Sequence, residues 1–545
     1  MALPHNDNDL FEYTSGRWLV NDKLRHAERR RHFNVDALRR LAAQSVNRKP
    51  DDIESLRKLA EGGFNRVFLI TMRDGFRMIA RIPYSNTVPK YFAVASETAT
   101  LAFLRSAGVP TPEVYGYSPT PDNAAGTEYI FMQYIEGVSL ADVLPGLDEG
   151  NIISILRQLV ELELSLLMMR FPAVGSLYFA EDLANAAGSP SGPTKPGIPL
   201  QTDKRFCIGP ETSFPLWYGR RSQLDVDRGP YATFEETLVR GAEKEQAYLR
   251  RFGRPLLPLQ PARREAYGYQ EQQPSDHIEN LDRYLRIAPL MVSKDKRLDY
   301  FCMRHPDLRP SNIIVARPPD SNQYAIVSII DWQNTSILPL SLHAAIPTWL
   351  QNNDGTDWQP EMPPSLPENL DDMDESQRER ELELYRRRFR HYYYIEFTRK
   401  YNILNYVPLA DPMGSLRRRL FRHSRDLWDG ETLELKLLLI QATENWEALA
   451  GEGVPCPIAF DSDDARETRK LVEVQREADE LLEISRDTIG TAGPEDWVPV
   501  EHYEQAMALS KQFKQFALSR VEDDQERAQI AAHWPFDDRD EEDCL

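Results

Sequence analysis

The stretch His305-Pro306-Asp307-Leu308-Arg309-Pro310-Ser311-Asn312 sets a histidine, a carboxylate and an amide at the spacing H-x-D, four residues, then N. The apolar run Ile313-Ile314-Val315 follows at once. A second apolar run, Ile326 to Ile330, ends in Asp331-Trp332, nineteen positions beyond Asn312. A carboxylate in a loop can orient an acceptor hydroxyl and take up its proton. An amide oxygen and a second carboxylate can hold a divalent cation, and Mg2+ prefers such hard oxygen ligands while it bridges phosphates. Phosphoryl transfer asks mainly for this positioning and charge neutralisation. The histidine-to-asparagine spacing alone is a weak signal; joined to strand, polar turn, strand and Asp-Trp it becomes a specific one.

Two sets of elements must position these residues. From Ile53 to Tyr134 strand signals dominate: Leu56 to Ala60, a turn at Glu61-Gly62-Gly63-Phe64, Val67 to Ile70, a hairpin turn at Arg73-Asp74-Gly75, and a returning strand to Pro83. Phe92 to Ser106 reads as a helix ended by Gly108 and Pro110, and Tyr129 to Met132 as a buried strand. This predicts a small antiparallel sheet with one long helix packed on it. After Gly137 helices take over, beginning with Asn151 to Arg170, where Ile152, Ile155, Leu159, Leu162 and Leu166 form one apolar face. Further helices are predicted over Thr233–Phe252, Ile278–Leu290, Gln377–Tyr401, Leu433–Ala450, Ala465–Ser485 and Tyr503–Ala531. Residues 22–46 read as a helical docking arm, 187–200 and 352–375 as loops, and 537–545 as a disordered acidic tail. The arginine runs 29–31, 386–388 and 417–419 read as solvated helix faces.

At 545 residues the chain is long enough for two or three packed units, and no internal repeat is visible. Its net charge of -20 argues against a nucleic-acid binder, which needs positive surface to displace counterions from phosphates. Cys207, Cys302, Cys456 and Cys544 form no CxxC pair, which predicts neither a disulfide framework nor structural zinc. No apolar stretch is long enough for a membrane span, and Asp7, Asp9 and Glu12 fit neither a secretory signal nor an Arg-rich presequence. The expectation is a soluble intracellular protein.

HPDLRPSNIIV followed by SIIDWQ resembles the aminoglycoside phosphotransferase family, a branch of the protein-kinase-like fold. Within it the chain is similar to a fungal group linked by name to the inheritance of mitochondria. The matching stretches are YTSGRWL, KLAEGGFNRVFLITM, IARIP, and FCIGP with LDVDRGP, over roughly residues 13–340. The resemblance implies an α+β, bilobal fold: a helical arm (1–50), an antiparallel-sheet N-lobe (51–135), a mainly helical C-lobe with the catalytic loop (136–450) and a helical extension (451–545). It implies ATP and Mg2+ as cofactors and a small-molecule hydroxyl as acceptor. Gly62 and Gly63 would cover the phosphates, Val67 would pack on adenine, and the backbone of Met132, Gln133 and Tyr134 would meet its edge. Asp307 would be the catalytic base, with Asn312 and Asp331 on the metal, and His305 would brace the loop rather than shuttle a proton.

One position departs from the pattern. Where the third strand usually offers a lysine to the phosphates, this chain has Arg81, with Glu97 as its expected partner; the planar fork of arginine makes this exchange far from conservative. Two readings stay open: a small-molecule kinase, and a nucleotide-binding pseudokinase with a scaffolding or regulatory role linked to mitochondria. Arg309 is either a phosphate contact or solvent-facing, and Trp217, Tyr218, Arg220 and Asp227 are candidates for the acceptor side. The resemblance points to mitochondria, the acidic N-terminus to no particular compartment.

Overall fold

The computed structural model describes residues 10–187, 192–292, 295, 298, 300–352, 362–493 and 495–541. The first nine residues, Cys544, and parts of the two loops and of the tail named above lie outside them. Strands β2 (Ile53–Glu61), β3 (Asn65–Met72), β4 (Arg77–Pro83), β5 (Val114–Ser118) and β6 (Tyr129–Gln133) form one antiparallel sheet in the order β2-β3-β4-β6-β5. They follow β1 (Gly16–Trp18) and the helices α1 (Asp22–Arg29) and α2 (Val35–Ser45); α3 (Phe92–Ser106) joins β4 to β5.

Alternation along β3 and β4 explains why this sheet has helices on both faces. Phe68, Ile70, Met72, Met78, Ala80 and Ile82 point one way and pack with Leu38 and Ala42 of α2. Ile79, Ile130 and Met132 point the other way and meet Val94 of α3. Each large apolar side chain so buried contributes about 1.5–3 kcal/mol, so α2 is a structural half of the lobe. The predicted helix over 22–46 is broken at 30–34, where Asn34 turns to accept from the Ala37 N–H at 2.9 Å and caps α2.

Arg30, Arg386 and Arg387 are exposed as the solvated-face reading expects, whereas other members of the arginine runs differ from it. Arg29 is buried, donating to Glu495 at 3.0 Å and lying over the Trp18 ring, and Arg31 pairs with Glu128. Arg418 is enclosed and donates to the Pro408 carbonyl at 2.9 Å. Partners far away in sequence convert these charges into internal ties. The described part of the acidic tail is likewise held: Asp538 accepts from the Asn21 N–H at 2.6 Å, and Glu541 pairs with Arg25.

Gly137, at the crossing to the C-lobe, lies so close to Ile314 and Val315 that a Cβ would stand 2.7 Å from one and 2.8 Å from the other. Beyond it, β7 (Val138–Ser139) pairs with β10 (Ile313–Ala316), the first strand of a hairpin. Helix α4 (Glu149–Leu167) places Leu156, Leu159 and Val160 against that hairpin, Trp332 and α6 (Glu375–Tyr401). Two short strands that the sequence did not suggest, β8 (Ser176–Phe179) and β9 (Phe206–Gly209), pair with each other, and α5 (Phe234–Phe252) builds a second core with later helices. In the extension, α7 (Ser462–Ile489) and α8 (Tyr503–Arg520) flank β12 (Trp497–Pro499), which pairs antiparallel with β1. Gly16 is required there: a Cβ would lie 2.3 Å from the Trp497 ring. No helix among the described residues is long and apolar enough to cross a membrane, and Cys207, Cys302 and Cys456 are free.

Candidate functional site

The catalytic-loop candidates and Asp331 are brought together by a hairpin. Strands β10 (Ile313–Ala316) and β11 (Ala325–Ile329) pair antiparallel, so the residues before the first and after the second meet. The Ile330 N–H donates to the Asn312 carbonyl at 3.0 Å. His305 closes the join: one ring nitrogen, Nε2, bonds the Ile330 carbonyl at 3.0 Å, and the other, Nδ1, accepts from the Asp307 N–H at 3.1 Å. These partners assign the neutral tautomer with the proton on Nε2. Burial lowers His305 to about 4, so it stays uncharged, and its ring lies edge-on to Trp332 with centroids 4.5 Å apart. It ties the loop to the Asp331 turn.

Asn312 is buried and commits its amide nitrogen to the Asp307 carbonyl at 2.9 Å and to Asp307 Oδ2 at 3.4 Å. Its oxygen keeps acceptor capacity. Arg309 pairs with the same Asp307 Oδ2 at 2.6 Å, leaving Oδ1 without a hydrogen-bond partner among the described residues. Asp331 has φ 63°, a left-handed conformation uncommon for a side-chain-bearing residue. Trp332 fixes it: its indole donates to the Ile329 carbonyl at 3.0 Å, and Thr335 donates back to its carbonyl at 2.6 Å. The carboxylate of Asp331 is half exposed, 3.4 Å from Arg81. An amide oxygen and one accessible carboxylate suit Mg2+ shared with phosphates; no cage of three or more His, Cys, Asp or Glu exists among the described residues.

Arg81 lies across β4 from Val67 and Ile130, so all three share the face towards the cleft. It is 7% exposed and donates to Glu97, which is 3% exposed, and to the Gln333 side-chain oxygen. Burial works against the guanidinium charge, and the facing Glu97 and Asp331 outweigh it, holding Arg81 above its ordinary value. Burial pushes Glu97 up to about 7, with Arg81 pulling the other way.

Gly62 and Gly63 form the turn between β2 and β3, closed by the Gly62 N–H donating to the Asn65 carbonyl at 2.9 Å; a Cβ on Gly63 would meet nothing within 4 Å. The neighbouring Phe64 ring lies 6.0 Å from Phe214. Met132 and Gln133 end β6, with the Gln133 N–H donating to the Glu113 carbonyl at 2.8 Å, and Tyr134 lies under Arg77. The acceptor-side candidates scatter. Trp217 is core, donating to the Glu211 carbonyl at 2.7 Å beneath Arg228, and Asp227 pairs with Lys195 at 2.8 Å. Arg220 sits over Phe252, and the Tyr218 ring lies 4.5 Å from Phe214, the ring that faces Phe64. Asn65 and Gln333 lie inside the matching stretches KLAEGGFNRVFLITM and SIIDWQ without standing out there as site residues, and Phe214 carries no such signal.

The chain belongs to the phosphotransferase enzyme family, whose profile matches residues 55–345, more than half of its length. Its fold is accordingly the bilobal, protein-kinase-like one. It is 29% identical over 529 residues to a subtelomeric hrmA-associated cluster protein of Aspergillus fumigatus, covering 90% of this chain and 98% of the relative. To altered inheritance of mitochondria protein 9, mitochondrial, of Zygosaccharomyces rouxii it is 25% identical over 570 residues, covering 91% of this chain and 87% of the relative. Among solved structures, ADP-bound aminoglycoside phosphotransferase APH(2'')-Ib matches 80% of this chain and 98% of its own, at 11% identity and a TM-score of 0.32.

Proposed function

We propose that this protein is an ATP- and Mg2+-dependent phosphotransferase acting on the hydroxyl of a small molecule. The observation that carries the reading is the joining of Asp307, Asn312 and Asp331 by His305 and the Ile330 backbone, with Arg81 3.4 Å from Asp331. Bound MgATP would supply the phosphoryl group and the metal charge that neutralises it. Arg81, set by Glu97, holds the nucleotide phosphates; Asn312 and Asp331 hold the metal. Asp307 orients the acceptor hydroxyl and takes its proton at Oδ1, the oxygen Arg309 leaves open. Gly62 and Gly63 cover the phosphates, Val67 lies under the base, and Met132 to Tyr134 present backbone to its edge. A net charge of -20 disfavours nucleic acid as partner. The mitochondrial names of relatives support a mitochondrial location, which fractionation of the tagged full chain would test.

MgATP should raise the melting temperature of the wild type, and Asp331→Ala should abolish that rise; an unmoved wild type overturns the reading. Screening amino sugars, choline-like alcohols and hydroxylated metabolites for ADP release then finds the acceptor, with Asp307→Asn lowering turnover by about a hundred- to ten-thousand-fold. A second reading, a nucleotide-binding pseudokinase, is favoured by one observation: Arg81 already has Glu97, Gln333 and Asp331 around it. MgATP binding with no turnover above the Asp307→Asn control would select it.

A further inference from the structure

Arginine brings five N–H donors to a place where lysine brings three, so Arg81 needs acceptors that a lysine would not. Glu97 takes one and the Gln333 oxygen another. The Asn65 amide lies 2.7 Å from that same Gln333 oxygen. Turned about, Asn65 offers its own oxygen to Arg81, 2.8 Å from Nη2 and 3.2 Å from Nε, yet that oxygen then faces the Gln333 oxygen at 2.7 Å. Neither arrangement matches every donor with an acceptor. Gln333 Nε2 has no hydrogen-bond partner among the described residues, although Gln333 is only 8% exposed. A buried amide N–H without an acceptor is costly, and such groups are otherwise rare in folded proteins.

The surplus sits in a telling place. Asn65 opens β3 directly after the glycine turn, and Gln333 follows Asp331 by two residues. The two amides therefore bracket Arg81 between the turn over the cleft and the carboxylate on its floor. What the cluster lacks is an acceptor oxygen, which a nucleotide phosphate carries.

Resting on the nucleotide-site reading above, we propose that Asn65 and Gln333 complete the phosphate clamp. The Gln333 oxygen aims the Arg81 guanidinium, and the amide N–H groups of the pair donate to a phosphate oxygen. Gln333 is a positioning residue for Arg81 as well as a phosphate donor, and the pair is what lets arginine serve at this position.

The test titrates the full-length protein with MgADP and, separately, with adenosine, following tryptophan fluorescence. Gln333→Ala should weaken MgADP by about tenfold, the weight of one good hydrogen bond, and leave adenosine unchanged. Gln333→Glu keeps an acceptor for Arg81 but loses the donor, so it should bind MgADP no better than Gln333→Ala. In an Arg81→Lys background, Gln333→Ala should add less than it does alone. Wild-type affinity for MgADP in both Gln333 variants, or equal loss of MgADP and adenosine, overturns the proposal. A wild type that binds neither ligand overturns instead the nucleotide-site reading on which it rests.

Discussion

Two arginine–glutamate pairs lie in the N-lobe, yet they are opposite in character. Arg66 and Glu61 have side chains 1% exposed, and Glu97 is 3% exposed beside Arg81. Glu61 accepts from the Thr14 N–H and Ser15 hydroxyl at 2.8 Å each, from Lys58 and Arg66 at 3.0 Å each, and from the Thr14 hydroxyl at 3.3 Å. Arg66 spends its other nitrogens on the Leu10 and Arg29 carbonyls. Burial opposes the Glu61 charge, but the Thr14, Lys58 and Ser15 bonds outweigh it and hold the carboxyl below its ordinary value. Among the described residues Arg81 is the one hydrogen-bond donor to Glu97, and burial carries Glu97 to about 7. Several donors offset the burial of Glu61, whereas one donor does not offset the fuller burial of Glu97. The first pair is a closed knot tying the arm to the base of the glycine turn. The second is left open on the side where a ligand would sit.

The largest expected effect comes from breaking the knot. Arg66→Ala should cost about 3–5 kcal/mol in urea denaturation, because a large buried side chain is removed and Glu61 and the Leu10 and Arg29 carbonyls each lose a donor. Arg81→Ala should cost less, about 1–3 kcal/mol, because Glu97 with a value near 7 can take a proton, while MgATP binding is lost. Equal losses would erase the distinction. Next in size is a difference of sign with pH. Glu61 contributes stability above its ordinary 4.5 that is lost as pH falls through its lowered folded value. The contribution of Glu97 is complete below 4.5 and is lost as pH rises to about 7, on the order of 3 kcal/mol. Denaturation midpoints of Glu61→Gln and Glu97→Gln against pH should thus depart from wild type in opposite windows. Gly16→Ala should cost about 1–3 kcal/mol by driving β1 off Trp497, the strand beside the Thr14 and Ser15 donors. Ser15→Ala, which removes one donor among five, should cost about 1 kcal/mol.

The lobes, and the strands and helices that make them, were legible because their apolar periodicities are local. The lines H-x-D through Asn312 and Asp331 were legible too, since the hairpin between them is short and its strands are plainly apolar. The arm's role was half visible: Phe68, Ile70, Ala80 and Ile82 form a second apolar face on the sheet that something had to cover, and α2 covers it. Arg29 and Arg31 were misread as solvated because Glu495 and Glu128 lie far off in the chain. Asn65 and Gln333 stand inside the matching stretches KLAEGGFNRVFLITM and SIIDWQ, but with no role of their own there; an amide becomes informative only when its neighbours are known.

By itself, then, the sequence determined most of the elements, the family, and which carboxylates and amide flank the β10–β11 hairpin. Each of these depends on residues within a strand, a turn or a helix of one another. Only the tertiary structure decided what surrounds each buried charge: five donors for Glu61, Arg81 for Glu97, and two crowded amides around Arg81. Solvation inside a protein is supplied by whatever the fold brings near, and that is a property of long-range packing rather than of any short stretch of chain.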